Sequence, residues 1–360
     1  MTNSTANARA ADSGSTNEHR FPWKWYLADL EKVHKNGLKV FSCFSCGGGS
    51  SMGYKLAGYD VIGNVEIDPR VMKVYCDNLH PKHPYLMDVR DFLQIPDNEL
   101  PEELFSLDIL DGSPPCSVFS TAGSREKAWN KEKAFREGQV KQKLDDLFFW
   151  FIRIAEKLKP KVVIAENVSG LIKGNAKGYV NEIFKAFSAA GYKTQLFLLN
   201  AAFMGVPQKR ERTFFVASRK DLDFGQLKIK FNEKPITFGE VRQEHGDDSR
   251  DTELKDRIKK YFRPGDRAVD EINKRIGKTG AYTNPITSDN EVSPTVTANG
   301  QMFRACDKLH YHALDFVSST SFPQNYDFGD QKPQYITGMS VPPVMMAQVA
   351  TEVYNQWLKQ

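Results

Sequence analysis

The sequence predicts an α/β protein, a doubly wound, mostly parallel sheet with helices on both faces, joined to a second, smaller domain. Three observations predict it. From residue 38 to residue 218, short runs of β-branched and aromatic residues alternate with segments of helical spacing, the signature of repeated strand–helix–strand units. Past residue 219 the texture changes to crowded charges and short apolar runs. A length of 360 residues corresponds to about two domains at roughly 150 residues each.

Each element follows in order. LKVFSCF (38–44) is a buried-strand candidate that runs into CGGGSSMG and a short helix ending at Gly58, and DVIGNVEID (60–68) is the second strand. A helix from about Pro69 to Leu79, a short strand near Tyr85–Asp88 and the strand SLDILDG (106–112) continue the alternation. The longest helix candidate, about 139–158, carries Leu144, Leu147, Phe148, Phe151, Ile154, Ala155 and Leu158 at helical spacing and stops at Pro160. KVVIAEN (161–167), a helix near 178–190, YKTQLFLLN (192–200) and RTFFVAS (212–218) complete the sheet, and an apolar helix, about 342–358, is expected to pack back on it.

Composition excludes several classes. With 40% hydrophobic and 26% charged residues, the chain is neither disordered nor a coiled coil. Its longest apolar run, Leu147 to Ile152, is far too short to span a bilayer, so no membrane association is expected. Residues 1–20 are small and polar without an apolar core and read as a disordered leader rather than a signal. Five cysteines, odd in number and irregularly spaced, imply reduced thiols and a cytoplasmic setting. The net charge of +4 is modest, but Arg125 to Lys143 alone holds seven Lys/Arg against three Glu, a candidate phosphate-binding stretch or a solvated surface.

Four motifs carry chemistry. The turn Gly47-Gly48-Gly49 follows a strand, with Gly53 in the next helix and Glu66 ending the next strand. Such a turn lets a ligand approach a helix N-terminus and an acidic group bind ribose hydroxyls; its spacing is not G-x-G-x-x-G, which counts against a nicotinamide or flavin enzyme. Asp111-Gly-Ser-Pro-Pro-Cys116 lies at the carboxyl end of a strand, where two prolines hold the thiol at a site edge and favour a nucleophile over a core filler. Cys43 and Cys46 form a CxxC, but no second pair or His pair completes a metal site, so no metal is expected. Glu166 emerges with Asn167 from a strand of Val, Ile and Ala, either as a structural salt-bridge partner or as an acid with a raised pKa. Gln208, Arg210 and Arg212 alternate onto one face of a strand, which in isolation reads as an edge strand with solvated charges.

Together the segments FSCGGGSSMGY, EID, DVR, PPC, ENV, QKRER, SPTVTA and GMSVPP resemble, in order and approximate spacing, the motifs of the carbon-5 cytosine DNA methyltransferases over about residues 38–350. The resemblance implies a Rossmann-like catalytic domain (21–218) that binds S-adenosylmethionine, a target-recognition domain (219–292) and a return segment (293–360) ending in a helix on the catalytic domain. It implies Cys116 as nucleophile, Glu166 as the acid facing the base, Asn167 as a buttress of the Pro-Pro-Cys loop, Arg212 on the cytosine carbonyl oxygen, and Arg210 with Gln208 ordering the strand. Phe44, Gly47 and Gly49 would line the methionine side of the donor, Glu66 would hold its ribose, Ile67, Asp88 and Val89 would frame its adenine, and Leu147 and Val341 would complete the wall.

The chain departs from the usual pattern at Cys46, Met87, Ser117 and Met339, which stand where the family has glycine, glycine, glutamine and asparagine. The implied partner is double-stranded DNA, read by loops in which Lys255, Arg257, Lys259, Lys260, Arg263 and Arg267 contact phosphates or guanine edges, or else form a solvated face. A monomer in a bacterial or virus-infected cytoplasm is expected, with a cognate restriction endonuclease as a possible companion. Two other readings stand beside it: a transferase acting on RNA cytosine, and a catalytically silent DNA-binding relative, against which the intact Cys116, Glu166 and Arg212 argue.

Overall fold

The computed structural model describes residues 19–115, 146–172, 177–250, 252–279 and 284–359. Its first part comprises β1 (Lys39–Cys43), α1 (Gly49–Leu56), β2 (Asp60–Glu66), α2 (Pro69–Leu79), β3 (His83–Leu86), α3 (Val89–Gln94), β4 (Ile109–Gly112), α4 (Leu147–Leu158), β5 (Val162–Val168), α5 (Lys177–Ala189), β6 (Tyr192–Asn200), β7 (Gln208–Lys209) and β8 (Glu211–Arg219). The remainder adds α6 (Phe238–Val241), α7 (Glu253–Tyr261), α8 (Val269–Arg275), β9 (Ile286–Thr287), β10 (Ser293–Pro294), β11 (Phe303–Arg304), α9 (Ala313–Ser319), α10 (Pro333–Met339) and α11 (Pro343–Val353). Among the described residues no helix is long and apolar enough to cross a membrane.

The seven-stranded sheet has the order β3-β2-β1-β4-β5-β8-β6. Its pairings are parallel except those of β8, which runs antiparallel to both β5 and β6. Period-2 alternation sorts the strand side chains into two layers. Phe41, Leu110, Val163 and Phe215 pack with Phe148 and Phe151 of α4 and Phe187 of α5. Val40, Ile109, Ile164 and Val216 pack with Tyr54 of α1 and Val344, Met345 and Val349 of α11. β2 and β3 extend the sheet to one side of β1, whereas β4 and β5 extend it to the other. The carboxyl ends of β1 and β4 therefore form a topological switch point, where open α/β sheets leave a ligand crevice.

Two smaller apolar clusters lie beyond the sheet. One gathers Ile236, Phe238, Val241, Val296, Met302, Tyr311 and Phe316, the other Ile258, Val269, Ile272, Ile286 and Phe303. They draw on residues from both sides of position 292. Residues shortly after 219 pack instead with the sheet: Leu227 is in its core, and Phe224 stacks on Trp357 at 5.7 Å. The expected leader lies outside the described residues except for its last two. His19 Nδ1 sits 2.9 Å from Glu233 Oε2, and Arg20 Nη1 donates to Glu352 Oε1 at 2.7 Å.

The expected edge strand of solvated charges is corrected by the structure. β8 lies inside the sheet between β5 and β6, and Gln208 and Arg210 are buried. Of the six basic positions from Lys255 to Arg267, Lys255 is buried and Arg257 partly buried, whereas Lys259, Lys260, Arg263 and Arg267 are exposed. Lys255 and Lys259 pair with Asp248 at 3.0 and 3.4 Å, Arg257 donates to Asn273 at 2.7 Å and pairs with Glu253, and Arg267 pairs with Glu291 at 2.8 Å.

Candidate active site

The switch point opens into a crevice lined along the ends of four strands. Phe44 and Cys46 follow β1, Glu66, Ile67 and Asp68 end β2, Met87, Asp88 and Val89 follow β3, and Ser113 and Pro115 follow β4. Tyr335 and Met339 of α10 close it from the far end of the chain. Five of the nine residues that the resemblance assigns to the donor, Phe44, Glu66, Ile67, Asp88 and Val89, meet here.

The other four sit differently. A Cβ on Gly47 would come 2.2 Å from the Ile336 side chain, and one on Gly49 would come 2.1 Å from the Val341 carbonyl oxygen. Both positions thus admit only glycine because the return segment packs against them. Val341 is buried with α11, and Leu147 is buried with α4 beneath the sheet. Phe44 and Cys46 both take left-handed backbone, with φ of 54° and 46°. Such a conformation is costly for a side chain with a Cβ, which is why glycine suits the Cys46 position. Burial and then the Glu66 charge push the Cys46 thiol up to about 12.

The acidic groups of the crevice are held by an accountable set of bonds. Glu66 Oε1 accepts from the backbone N–H groups of Ile67 and Asp68 at 2.9 and 3.0 Å, and Oε2 from that of Cys46 at 2.9 Å. A carboxylate offers about four acceptor positions, so one remains, on Oε2. Burial pushes the Glu66 carboxyl up, against these three donors. Asp88 N-caps α3. Burial alone would raise its carboxyl, but the side chain and backbone N–H of Arg90 overcome this and hold it below the usual range.

On the opposite side of the switch point, β5 delivers Glu166 and Asn167. Asn167 Nδ2 donates to the Pro114 carbonyl at 3.0 Å and so grips the loop that leads to Cys116. Arg212, across β8, brings Nε to 2.8 Å from Glu166 Oε1. Both side chains are largely buried, so this is a desolvated charge pair at the end of β5. Burial works against the Arg212 charge and Glu166 supports it. Arg210 points elsewhere, donating to the carbonyls of Val296, Gly338 and Ser340 at 3.1, 3.2 and 3.1 Å. Gln208 joins it by accepting from the Val296 N–H at 3.1 Å. Cys116, Ser117 and the basic stretch 125–143 lie outside the described residues.

Asp111, at the start of the Pro-Pro-Cys segment, has no place among the site residues that the sequence suggests. It is buried and accepts from Ser42 and Ser50 hydroxyls at 2.8 and 2.7 Å and from Tyr54 at 3.2 Å, tying α1 to β1 and β4. Burial pushes its carboxyl from 3.8 up to about 6. The folded chain therefore keeps a proton there that the unfolded chain releases earlier. This contribution to stability is full below about pH 4 and is lost as pH rises through 6. A carboxyl raised that far corresponds to about 3 kcal/mol. Asp111→Asn keeps an acceptor for both serines and is expected to gain on the wild type by about that amount between pH 4 and 7.5. Urea unfolding at several pH values reads the difference, and parallel profiles for the two proteins would refute the assignment.

Among the described residues no three His, Cys, Asp or Glu side chains gather as a metal group. The acidic groups of the crevice lining are Glu66, Asp68 and Asp88, and among the described residues it has no basic side chain. Solved structures show the same architecture. A putative DNA modification methyltransferase encoded within an E. coli prophage superposes with a TM-score of 0.65 at 18% identity, covering 90% of this chain and 100% of that one. A DNMT2 variant from Spodoptera frugiperda gives 0.62 at 16% identity, covering 88% and 100%. The fold is that of the Rossmann-like methyltransferases.

Sequence comparison narrows the class. The profile of C-5 cytosine-specific DNA methylases matches residues 38–355, and the chain belongs to that family. It is 31% identical over 290 residues to the type II methyltransferase M.FnuDI of Fusobacterium nucleatum, spanning 78% of this chain and 75% of that protein. To M.NgoPII of Neisseria gonorrhoeae, also a type II methyltransferase, it is 34% identical over 198 residues, 55% of this chain and about half, 51%, of the relative.

Proposed function

We propose that the chain transfers a methyl group from S-adenosylmethionine to carbon 5 of a flipped-out cytosine within a specific duplex DNA sequence, through a covalent bond between Cys116 and carbon 6. The observation that carries this reading is the buried Glu166, paired with Arg212 at 2.8 Å, next to Asn167, which grips the Pro114 carbonyl of the nucleophile loop. A buried carboxylate beside a guanidinium is held in one orientation. A cytosine ring presents its N3 edge and exocyclic amine to such a group.

The chemistry requires this set of side chains. Carbon 5 of cytosine is not nucleophilic until a nucleophile adds at carbon 6, and the thiolate is the reactive form of cysteine. As the Cys116 sulfur adds, Glu166 gives a proton to N3, and Arg212, poised at 2.8 Å from Glu166, orients that carboxyl and the ring carbonyl. The enamine so formed takes the donor's methyl at carbon 5, and the demethylated donor departs. A base then removes the carbon-5 proton, the carbon 6–sulfur bond breaks, Cys116 returns as thiolate and N3 gives its proton back to Glu166. Because the target ring is stacked inside a duplex, it must be flipped out at a cost of a few kcal/mol, which closure of the basic stretch 125–143 on phosphates offsets.

The crevice at the ends of β1 to β4 fits the donor. Oε2 of Glu66 has one acceptor position for a ribose hydroxyl, and Val65, Ile67, Val71 and Val89 offer apolar walls. The donor supplies the methyl group. The enzyme is proposed to act as a monomer in a bacterial or virus-infected cytoplasm, either beside a cognate restriction endonuclease, as the type II relatives would suggest, or alone, like the orphan relatives.

Bisulfite sequencing of duplex DNA incubated with the chain and donor is the direct test. Protection of cytosine at one recurring sequence is expected. Methyl incorporation into tRNA with none into duplex DNA would transfer the assignment to RNA, and incorporation into neither would leave the silent DNA-binding relative.

A further inference from the structure

The segment 20–27 precedes the stretch that the family profile matches, which begins at residue 38, yet it is tied into the fold along its length. Phe21, Trp23 and Trp25 are partly or fully buried and alternate with the exposed Arg20, Pro22, Lys24 and Tyr26, the period of an extended segment with one buried face. The three rings do not share one core. Phe21 lies between the α11 layer of the sheet and the cluster that buries Trp25 among Val71, Tyr75, Val317 and Tyr326. Trp23 packs instead on the outer cluster of Phe238, Tyr311 and Phe316. Polar bonds fix the segment on the sheet side. Arg20 Nη1 donates to Glu352 at 2.7 Å, Trp25 Nε1 to the Ser321 carbonyl at 2.9 Å, and the Leu27 N–H to Asn325 Oδ1 at 2.9 Å. Ser321 is a joint between the two parts: it is buried in left-handed backbone with φ of 54°, follows α9, whose Phe316 enters the outer cluster, and accepts from the Val344 N–H of α11 at 3.2 Å.

We propose that Trp23 is a positioning residue for the duplex: anchored on the sheet side by Arg20, Phe21 and Trp25, it holds the outer cluster in one orientation relative to the sheet, and so pre-sets the space that DNA enters. This rests on the reading of the chain as a DNA methyltransferase. Two units joined through a modest interface move relative to each other by default, and a large aromatic ring pinned across the joint restrains that motion. Gln208 grips the same cluster from the other side, through the Val296 N–H at 3.1 Å. The crevice lining contains neither Trp23 nor any residue of the outer cluster, so donor binding does not depend on this ring. Trp25 differs, because it shares its cluster with Tyr335, which lines the crevice.

The test is steady-state methyl transfer by the full chain to a duplex carrying the sequence that bisulfite sequencing marks, with duplex and S-adenosylmethionine varied separately. Trp23→Ala is expected to raise KM for the duplex severalfold and to leave kcat and KM for the donor near their wild-type values. A merely structural loss would lower the folded fraction, and with it kcat, at unchanged KM, so the split isolates positioning from stability. Trp23→Phe keeps an aromatic ring and should recover most of the duplex KM. Lys24→Ala, on the exposed face of the segment, should match wild type. If Trp23→Ala fails to fold, Trp23→Leu is read in its place. An unchanged duplex KM in the Trp23 variant, or an equal rise in both KM values, overturns the proposal. A rise in Lys24→Ala as large as in Trp23→Ala also overturns it, since the segment would then act by its charge on phosphates. Absence of methyl transfer to any duplex by wild type overturns the DNA reading itself.

Discussion

Duplex DNA with 5-fluorocytosine at the target position is expected to capture the chain as a covalent adduct that survives denaturation and forms only in the presence of the methyl donor. Release of the product requires loss of the carbon-5 hydrogen after methylation, and fluorine cannot leave as a proton. Cys116→Ala should form no adduct while still binding DNA, because the variant loses the sulfur and keeps the phosphate contacts. Glu166→Gln should form it about 10² to 10⁴ times more slowly, the usual weight of general-acid catalysis. The other thiols among the described residues make poor alternatives. Cys43 is buried in β1, where burial pushes its thiol up, and burial raises Cys46 and Cys76 as well. Cys306 is exposed, yet it belongs to the segment after β11, outside the crevice lining. Mass-spectrometric mapping of the adduct to any of these four would sink the assignment of Cys116.

The second large effect is on stability. Arg210→Met preserves much of the side-chain volume but removes the donors that hold the carbonyls of Val296, Gly338 and Ser340. Leaving a buried acceptor unsatisfied costs about 1–3 kcal/mol, so three together should remove on the order of 4 kcal/mol or more. A fall in Tm on the order of 10 °C is expected at about 2–4 °C per kcal/mol for a large domain. Donor affinity should fall with it, since Gly338 to Ser340 lead into the segment that packs on Gly49. A variant that melts within a degree or two of wild type would show that the guanidinium is dispensable to the fold.

These side chains differ in how far local sequence reveals them. Glu166 and Asn167 are legible because a carboxylate at the end of VVIA has no solvent-facing reason to be there, and β5 places it at the switch point. Arg210 in isolation reads as a solvated charge, and the structure reverses this. Nothing within several residues of Arg210 reveals that β8 is inserted between β5 and β6, or that a segment more than eighty positions later supplies carbonyls for its guanidinium. Tyr335 at the crevice carries no local signal at all. The aromatic segment before β1 is written in the sequence as Phe21, Trp23 and Trp25 at every second position, but that spacing acquires meaning only when the rings are seen to enter different cores.

The sequence alone determined the strands of the main sheet, most of its helices and the glycine turn, but not the short elements between residues 219 and 341, because hydrophobic periodicity, proline stops and turn chemistry act between residues a few positions apart. It also determined the family, through motifs that keep their order along the chain. Tertiary structure decided the rest: the antiparallel placement of β8, the burial of Arg210 and Gln208, the pairing of Lys255 and Arg257 on α7, and the joining of β1 to β4 ends with α10 into one crevice. Each of these depends on which distant backbone reaches a side chain first, and that is a competition among long-range contacts in which desolvation and strand order, rather than local propensity, choose the partner.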